Sequence, residues 1–473
     1  SPRLVEMQQV LQNLERIPLQ KLPLRFQGEL RDYQEQGFSW LRFLRQQDLG
    51  GGLLADDMGL GKTVQAIASI EGSALVIAPT SVIYNWQKEL KRFRPDLSTS
   101  LYHGPKREFS CEVDVVITTY AIARLDLSKL KTVVWDTVIL DEAQNIKNPS
   151  SQSARAIFQL QSKFRIALTG TPIENRLEDL WSQMHFLNPG FLGHRESFQR
   201  QYIRGINAGD EKLSERLRRR VAPFMLRRKK TEVLRELPAR TDVTLFCELD
   251  ESERGLYNSI MAATRDDIMQ AIGAKGVPTL KVLEVLLRLR QTSCHQGLLP
   301  GRELVQTSSK QRLLISLLRK CLDGGHRALV FSQWTSFLDR IQKACEGEDI
   351  SFGRIDGSTR NRQEVVDQFQ QDDGVSVLLL SLKAAGTGLN LTAADHVFIV
   401  DPWWNPAVEE QAADRAHRIG QDKPVVVHRL VAKDTVEERV LELQEKKRQL
   451  ASNIVGGEGP SFLSREELVD LLD

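Results

Sequence analysis

The sequence predicts an α/β protein of two doubly wound parallel-sheet lobes with helical protrusions inserted between them. Three observations lead there. Short β-rich runs alternate with helix-like segments from about residue 25 to 185, and the alternation restarts at about residue 326. Between about 186 and 300 that pattern stops and the chain becomes helical and charged. The first lobe also opens with LLADDMGLGKT, residues 53 to 63, in which an apolar run meets a glycine turn and then a helix-compatible segment. Parallel strands buried on both faces read as continuous apolar runs, and functional residues gather at their C-terminal ends.

The opening segments come first. Residues 1 to 28 read as a helix, MQQVLQNLERI, followed by a proline-containing linker. LRDYQEQGFSWLRFL, residues 30 to 44, carries apolar positions at helical spacing, so Phe38 and Trp40 are core residues. Gln34 lies about 28 residues before Lys62, where its amide could read the edge of an adenine; a solvated surface amide is the bland alternative.

In the glycine turn, backbone N–H groups converge and suit a polyphosphate. The nucleotide-binding residues are then Asp57, Met58, Gly59, Leu60, Gly61, Lys62 and Thr63. Lys62 would sit against the β and γ phosphates, and Thr63 would offer its hydroxyl to Mg²⁺. A bare GxGKT also arises as a plain turn, and the general P-loop pattern has Gly where this chain has Asp56.

The strands of the first lobe are ALVIAP (74 to 79), DVVITTY (114 to 120), DTVILDEAQ (136 to 144) and FRIALTGTP (164 to 172). Asp141 and Glu142 stand at the tip of the third, about 80 residues after the lysine. ATP hydrolysis needs such a pair: Asp141 to hold Mg²⁺, largely through water, and Glu142 to polarise the attacking water. From Lys212 to Arg240 there are eleven basic and three acidic residues. Arg218, Arg219, Arg220, Arg227, Arg228, Lys229 and Lys230 are dense enough to suggest phosphate contact rather than a merely solvated helix face. The second lobe reads HRALVFSQW (326 to 334), SFGRIDGST (351 to 359), VSVLLLSLKAAGTG (375 to 388), HVFIVDPWWNP (396 to 406) and VVVHRLVAKDT (425 to 435). A final amphipathic helix follows, and Ser464 with Glu467 marks one more helix start.

Composition sets limits. The chain has 473 residues, enough for two or three domains, with 27% charged residues and a formal net charge of +2. No stretch reaches the length of a membrane span. The five cysteines form no CxxC pair, which argues against a cysteine-based zinc site and for a reducing compartment. A chain beginning SPRLVEM is expected to be a trimmed piece of a longer protein.

In order, LRDYQEQGFSWL, DDMGLGKT, VIAPTSVIYNWQKEL, ITTY, DEAQ, LTGTPIEN, ALVFSQWT, SLKAAGTGLNLTAADHVFIVDPWWNP and QAADRAHRIGQ resemble the motifs of superfamily-two helicase-like ATPases. More narrowly they resemble the SWI/SNF-type DNA translocases and chromatin-remodelling motors, over roughly residues 25 to 450. Asp56 fits that family's own form of the loop, whereas Gln144 stands where the commoner box ends in His. The resemblance implies two RecA-like lobes, residues 25–240 and 241–473, after an extension over 1–24. It implies ATP and Mg²⁺ as cofactors, double-stranded DNA as partner, and translocation without strand separation. A strand-separating helicase, or an ATP-gated scaffold on RNA polymerase or chromatin, is the alternative.

Arg415 and Arg418, at i and i+3, are expected on one helix face as arginine fingers that complete the site on lobe closure, with Gln411 beside them. Thr169 and Thr171 would relay nucleotide state or touch the DNA, and Gly386 and Gly388 would serve a turn near the cleft. Expected DNA contacts are Thr80, Ser81, Thr118, Thr119, Ser358, Thr359, Ser381 and Lys383, whose hydroxyls, amides and ammonium suit phosphates. Trp403 and Trp404 could stack on bases, with packing between the lobes preferred. A monomer of bacterial or archaeal, cytoplasmic source is expected; a eukaryotic one would be nuclear.

Overall fold

The computed structural model describes residues 17–170, 177–234, 236–273, 279–305, 307–371, 374–385 and 389–455. The chain divides between residues 234 and 236 into two units. The expected helices before residue 17 and after residue 455, together with Thr171, Gly386 and Gly388, lie outside the described residues. No described helix is long and apolar enough to cross a membrane.

The first unit holds β1 (Gly51–Leu54), β2 (Ala74–Ala78), β3 (Thr99–Leu101), β4 (Val115–Thr119), β5 (Val134–Asp141), β6 (Gln161–Leu168) and β7 (Met225–Leu226). They form one parallel sheet in the order β3-β4-β2-β5-β6-β1-β7. Every residue of β1, β2 and β4 is buried, as their unbroken apolar runs require. The helices that matter for the site are α1 (Asp32–Gln46), α2 (Lys62–Ala68), α3 (Ile83–Phe93), α4 (Tyr120–Leu125), α5 (Leu177–Leu187) and α6 (Glu211–Val221). In α1 the buried residues Tyr33, Gly37, Trp40, Leu41 and Leu44 recur every three or four positions, one apolar stripe on the core. Trp40 is 2% exposed, and its indole N–H donates to the Pro223 carbonyl at 3.3 Å.

The second unit is a separate six-stranded parallel sheet in the order β10-β11-β9-β12-β13-β8. Its strands are β8 (Arg240–Cys247), β9 (Ala328–Ser332), β10 (Phe352–Ile355), β11 (Val377–Ser381), β12 (His396–Ile399) and β13 (Val425–Ala432). The helices include α7 (Glu251–Gly273), α8 (Thr279–Cys294), α9 (Ser309–Asp323), α10 (Pro406–Ala413) and α11 (Val436–Val455). Fully buried Lys310 of α9 meets Glu437 of α11 at 2.5 Å, and the thiol of Cys294 donates to the same carboxylate. That buried pair ties α8, α9 and α11 together.

The stretch expected to be helical, 186 to 300, contains two strands, β7 and β8. The reason is location. β8 is an edge strand whose residues before the buried Cys247 are all exposed or half-buried, so it lacks the apolar run of a central strand. Its partner β13 holds it in register over the eight positions from Arg240 opposite Val425 to Cys247 opposite Ala432. Ion pairs reinforce the edge: Arg240 with Glu410 at 2.7 Å, and Arg429 with Asp242 at 2.8 Å.

The P-loop strand β1 is seated between β6 and β7, and a side chain at Gly51 would collide with the Arg165 carbonyl of β6. Gly51→Ala should therefore push β1 off β6 and cost about 2 kcal/mol of stability. Urea unfolding of the variant measures this; an unchanged midpoint would contradict the close approach.

Candidate nucleotide site

β1 delivers the loop Ala55–Gly61 to the N-terminus of α2. Two positive-φ glycines make the turn: Gly59 at 82° and Gly61 at 73°. Lys62 is the first residue of α2, and its ammonium donates to the carbonyls of Asp56 (2.6 Å) and Asp57 (3.1 Å). Burial pulls the Lys62 pKa below its ordinary value, while the carboxylates of Asp56, Glu142, Asp141 and Asp57 hold it up. The lysine and the paired acids, far apart in the chain, thus share one electrostatic site. Thr63 is half-buried in the first turn of α2. Met58 packs against Gly170, just after β6.

Asp56 sits where the general loop has glycine, and the structure shows why it is present. It is fully buried, and Arg228, 8% exposed, meets it with two charge-assisted bonds, Nε to Oδ1 at 3.0 Å and Nη2 to Oδ2 at 2.5 Å. The Arg228 backbone N–H donates to the same carboxylate at 3.0 Å. Its guanidinium also reaches Gln65 of α2 at 2.9 Å and the Tyr33 carbonyl of α1. Backbone bonds continue the attachment. Ala55 N–H donates to the Leu226 carbonyl at 2.7 Å, Asp57 N–H to the Arg228 carbonyl at 3.0 Å, and Lys230 N–H to the Asp57 carboxylate at 2.9 Å. The phosphate loop is thereby zipped to residues 226–230.

That finding corrects the reading of the basic run. Arg228 and Lys230 are buried structural residues. Arg218 and Arg219 pair with Glu215 on α6 at 3.9 and 2.8 Å, and Arg220 donates to the Phe191 carbonyl. Gln34 does lie against the loop, but its amide is spent there. Its N–H donates to the Leu60 carbonyl at 3.1 Å, and its oxygen accepts from Arg31 N–H at 3.0 Å. The bonds fix Gln34 against the loop.

Asp141 ends β5. Its Oδ2 accepts from the Trp86 indole at 2.7 Å, and its Oδ1 accepts from Glu142 N–H at 3.0 Å. Burial and then the Glu142 carboxylate push its carboxyl up to about 7, against Trp86 and Lys62, which favour the ionised form. Glu142 has φ 52°, a left-handed conformation uncommon for a non-glycine residue, and it caps the short turn Ala143–Ile146. Its carbonyl is fixed by Asn145 and by the Tyr120 hydroxyl, the latter at 3.3 Å; that hydroxyl also donates to the Asp141 carbonyl at 2.7 Å. Gln144 bridges two motifs: its N–H donates to Glu142 Oε2 at 2.8 Å and its oxygen accepts from the Thr169 hydroxyl at 3.0 Å. Trp86 and Tyr120 were not singled out from the sequence as site residues, because an indole and a phenol inside apolar segments read as core.

Of the expected DNA contacts, Thr80 and Ser81 are exposed just past β2. Thr118 and Thr119 are buried with their hydroxyls committed: Thr118 donates to the Tyr102 carbonyl at 2.9 Å, and Thr119 caps α4 by accepting from Ile122 N–H. As a hydroxyl donor to phosphate Thr118 is withdrawn, whereas the buried Thr119 hydroxyl acts only as an acceptor at the α4 cap. In the second unit, Ser358 is exposed after β10 and bonds Asp356 at 2.6 Å; Thr359 accepts from Asp356 N–H at 3.0 Å. Ser381 is buried at the end of β11 and accepts from Ala384 N–H, while Lys383 is exposed.

Gln411 is on α10, but Arg415 and Arg418 are not on a helix face, because α10 ends at Ala413. The chain leaves the helix for tertiary partners. The Arg415 carbonyl accepts from Leu391 N–H, and Gln421 donates to the carbonyls of Ala416, Thr392 and Ala394. Arg415 is 4% exposed and Arg418 half-buried. Trp403 and Trp404 lie against the buried Arg290 guanidinium, at 5.4 and 4.9 Å, within the second unit.

The Asp56–Arg228 pair makes a distinctive prediction. Asp56→Gly or Arg228→Leu alone leaves a buried charge without its partner and should cost about 3–5 kcal/mol. The double variant should recover most of that loss. A double-mutant cycle of unfolding free energies checks it, and additive losses would refute the pairing.

A family model described as the SNF2-related domain matches residues 33–298, and one described as the helicase conserved C-terminal domain matches residues 309–420. A Bacillus subtilis protein named as a candidate ATP-dependent helicase/translocase is 40% identical over 97% of this chain and 52% of its own length. The ISWI chromatin-remodelling complex ATPase ISW1 of Saccharomyces cerevisiae is 34% identical over 95% of this chain and 43% of its own. The chain thus spans about half the length of the curated relatives it matches. The solved Sulfolobus solfataricus SWI2/SNF2 ATPase core in complex with dsDNA is 37% identical, with 96% of this chain and 99% of that one covered at a TM-score of 0.49. Because the SNF2-related model alone matches more than half of it, and the helicase C-terminal model follows in order, the chain belongs to the SNF2-related family of helicase-like ATPases.

Proposed function

We propose that this chain is a DNA-dependent ATPase that uses ATP and Mg²⁺ to move along double-stranded DNA and so displaces or remodels bound protein. One observation carries the reading: Lys62, Asp141 and Glu142 act on one another electrostatically at the C-terminal ends of β1 and β5. In this role Lys62 exchanges its loop carbonyls for phosphate oxygens, which are stronger acceptors. Glu142 takes the proton of the attacking water, and Gln144 and Tyr120 hold it in place. Asp141 and Thr63 are the oxygen donors suited to Mg²⁺, and a cation there would favour the ionised form of Asp141 against the burial and the Glu142 charge that raise its pKa. When bound, Mg²⁺ neutralises charge on the phosphates. Gln144 links Glu142 to Thr169, a route by which the site could sense events at the following motif.

Movement on duplex DNA is supported by family membership and by the names of relatives, one as a helicase/translocase and one as a remodelling ATPase. Exposed Thr80, Ser81, Ser358 and Lys383 follow strand ends and suit sequence-independent phosphate contact. Arg415 and Arg418 keep the transition-state role that their motif implies.

ATP turnover measured with no nucleic acid, single strands, duplex DNA and duplex RNA tests the substrate. Duplex DNA should stimulate most, equally for unrelated sequences, and stimulation should fall steeply with salt. Dependence on one sequence, or indifference to DNA, would defeat the proposal. For the chemistry, Glu142→Gln should bind ATP yet lose hydrolysis. Arg415→Ala and Arg418→Ala should each lower turnover about 10³-fold or more with little change in nucleotide affinity. Near-normal turnover in Glu142→Gln would remove the base assignment.

A further inference from the structure

Three of the eight histidines meet at interior strands of the second sheet, none of them among the nucleotide and DNA residues named above. His326 stands in the turn before β9, Asp395 and His396 open β12, and His428 lies on β13; these strands are neighbours. One ring nitrogen of His326, one carboxylate oxygen of Asp395 and one ring nitrogen of His396 lie within 4.8 Å of one another. Among the described residues no other group of three such side chains does so.

We propose that His326, Asp395 and His396 form a binding site for a divalent transition-metal ion of the zinc class. The donor set is two imidazoles and a carboxylate, which suits zinc, cobalt or nickel and not the oxygen-seeking magnesium of the nucleotide site. The donors are held to different degrees. Asp395 is 2% exposed, and its Oδ1 accepts from Arg327 N–H at 3.1 Å, so its carboxylate is fixed. His396 is oriented through one ring nitrogen, which lies 3.0 Å from His428 Nε2, and the two rings stack at 5.2 Å. His428 in turn stacks on Phe398 at 4.5 Å. A ligating histidine steadied through its other nitrogen is the usual arrangement at metal sites.

His326 is the adjustable donor. It is half-buried in a turn containing Gly325 at φ 72°, and its Nδ1 now bonds Asp395 Oδ2 at 2.7 Å. An ion would replace that hydrogen bond. The Lys423 ammonium, 3.9 Å from the same oxygen, is on a side chain 59% exposed and can turn to water. Three protein ligands leave a fourth position for water. The scattered cysteines argue against a thiolate zinc site but say nothing of a histidine and carboxylate one.

The position decides the role. The site is at the N-terminal ends of β9 and β12, whereas Ser381 ends β11 and Lys383 follows it at the C-terminal side of the same parallel sheet. The ion would staple the turn before β9 to the start of β12, and it would not take part in hydrolysis.

The test uses the whole chain after treatment with a chelator. Zn²⁺ affinity is measured by competition with a chromogenic chelator, and Co²⁺ is added as a spectroscopic probe of the ligand field. One equivalent per chain should bind, with a cobalt spectrum of mixed nitrogen and oxygen coordination and a higher thermal midpoint. Mg²⁺ alone should do neither. His326→Gln, in an exposed turn and safe for folding, should weaken Zn²⁺ at least tenfold, and His396→Gln should do the same. ATP turnover in Mg²⁺ should be unchanged in His326→Gln. Absence of stoichiometric Zn²⁺ binding overturns the site, as does binding that survives both substitutions.

Discussion

The first lobe's site depends on one buried ion pair, Asp56 with Arg228. A phosphate loop must present its backbone in a single shape, yet glycine turns are soft. Here the loop is held from the side by a bidentate guanidinium, which also reaches α1 and α2 through the Tyr33 carbonyl and Gln65. Lys62 hangs from the carbonyls of the same two aspartates that this segment clamps. The position of the phosphate-seeking ammonium is thus set by a contact between residues 172 positions apart in the chain. Burial of both charges makes the arrangement all-or-none: complete, it orders the loop; with one partner removed, it leaves an uncompensated charge.

The acids opposite are arranged on a second principle, local strain held by many bonds. Glu142 occupies a left-handed backbone conformation with no glycine to ease it. Tyr120, Asn145 and Gln144 fix its carbonyl and carboxylate from three directions. Asp141, one residue earlier, is held by the Trp86 indole. Burial and the adjacent Glu142 carboxylate raise the proton affinity of Asp141, and the nearby ammonium limits the rise. That balance suits a site built to receive both a cation and a polyanion.

In the second unit, electrostatics serve architecture at the sheet edge. Arg429 and Arg240 share Asp242 and Glu410, and Arg429 also meets buried Glu409 at 3.0 Å. These pairs bind β8, β13 and α10 into one edge. They let a strand as polar as RTDVTLFC take its place without a continuous apolar face.

Much of this was legible in the amino-acid order. Central parallel strands must be apolar throughout, so β2, β4, β5, β9 and β11 announce themselves, and the residues after them mark the strand tips. The glycine turn with Lys62 and the acids Asp141 and Glu142 carry their chemistry in their spacing. What the order concealed were interactions whose partners are distant and whose side chains have several uses. A basic run reads as phosphate-binding until Arg228 is found buried on Asp56. Thr118 and Thr119 read as phosphate donors until their hydroxyls are found inside the lobe. Arg415 and Arg418 have helical spacing, but hydrogen bonds from Leu391 and Gln421 draw the chain off the helix. Local sequence determines periodicity and chemical capacity, because these depend on neighbours a few residues away. Only the tertiary structure decides which capacity is used, because a buried polar group takes whatever partner the fold brings within reach.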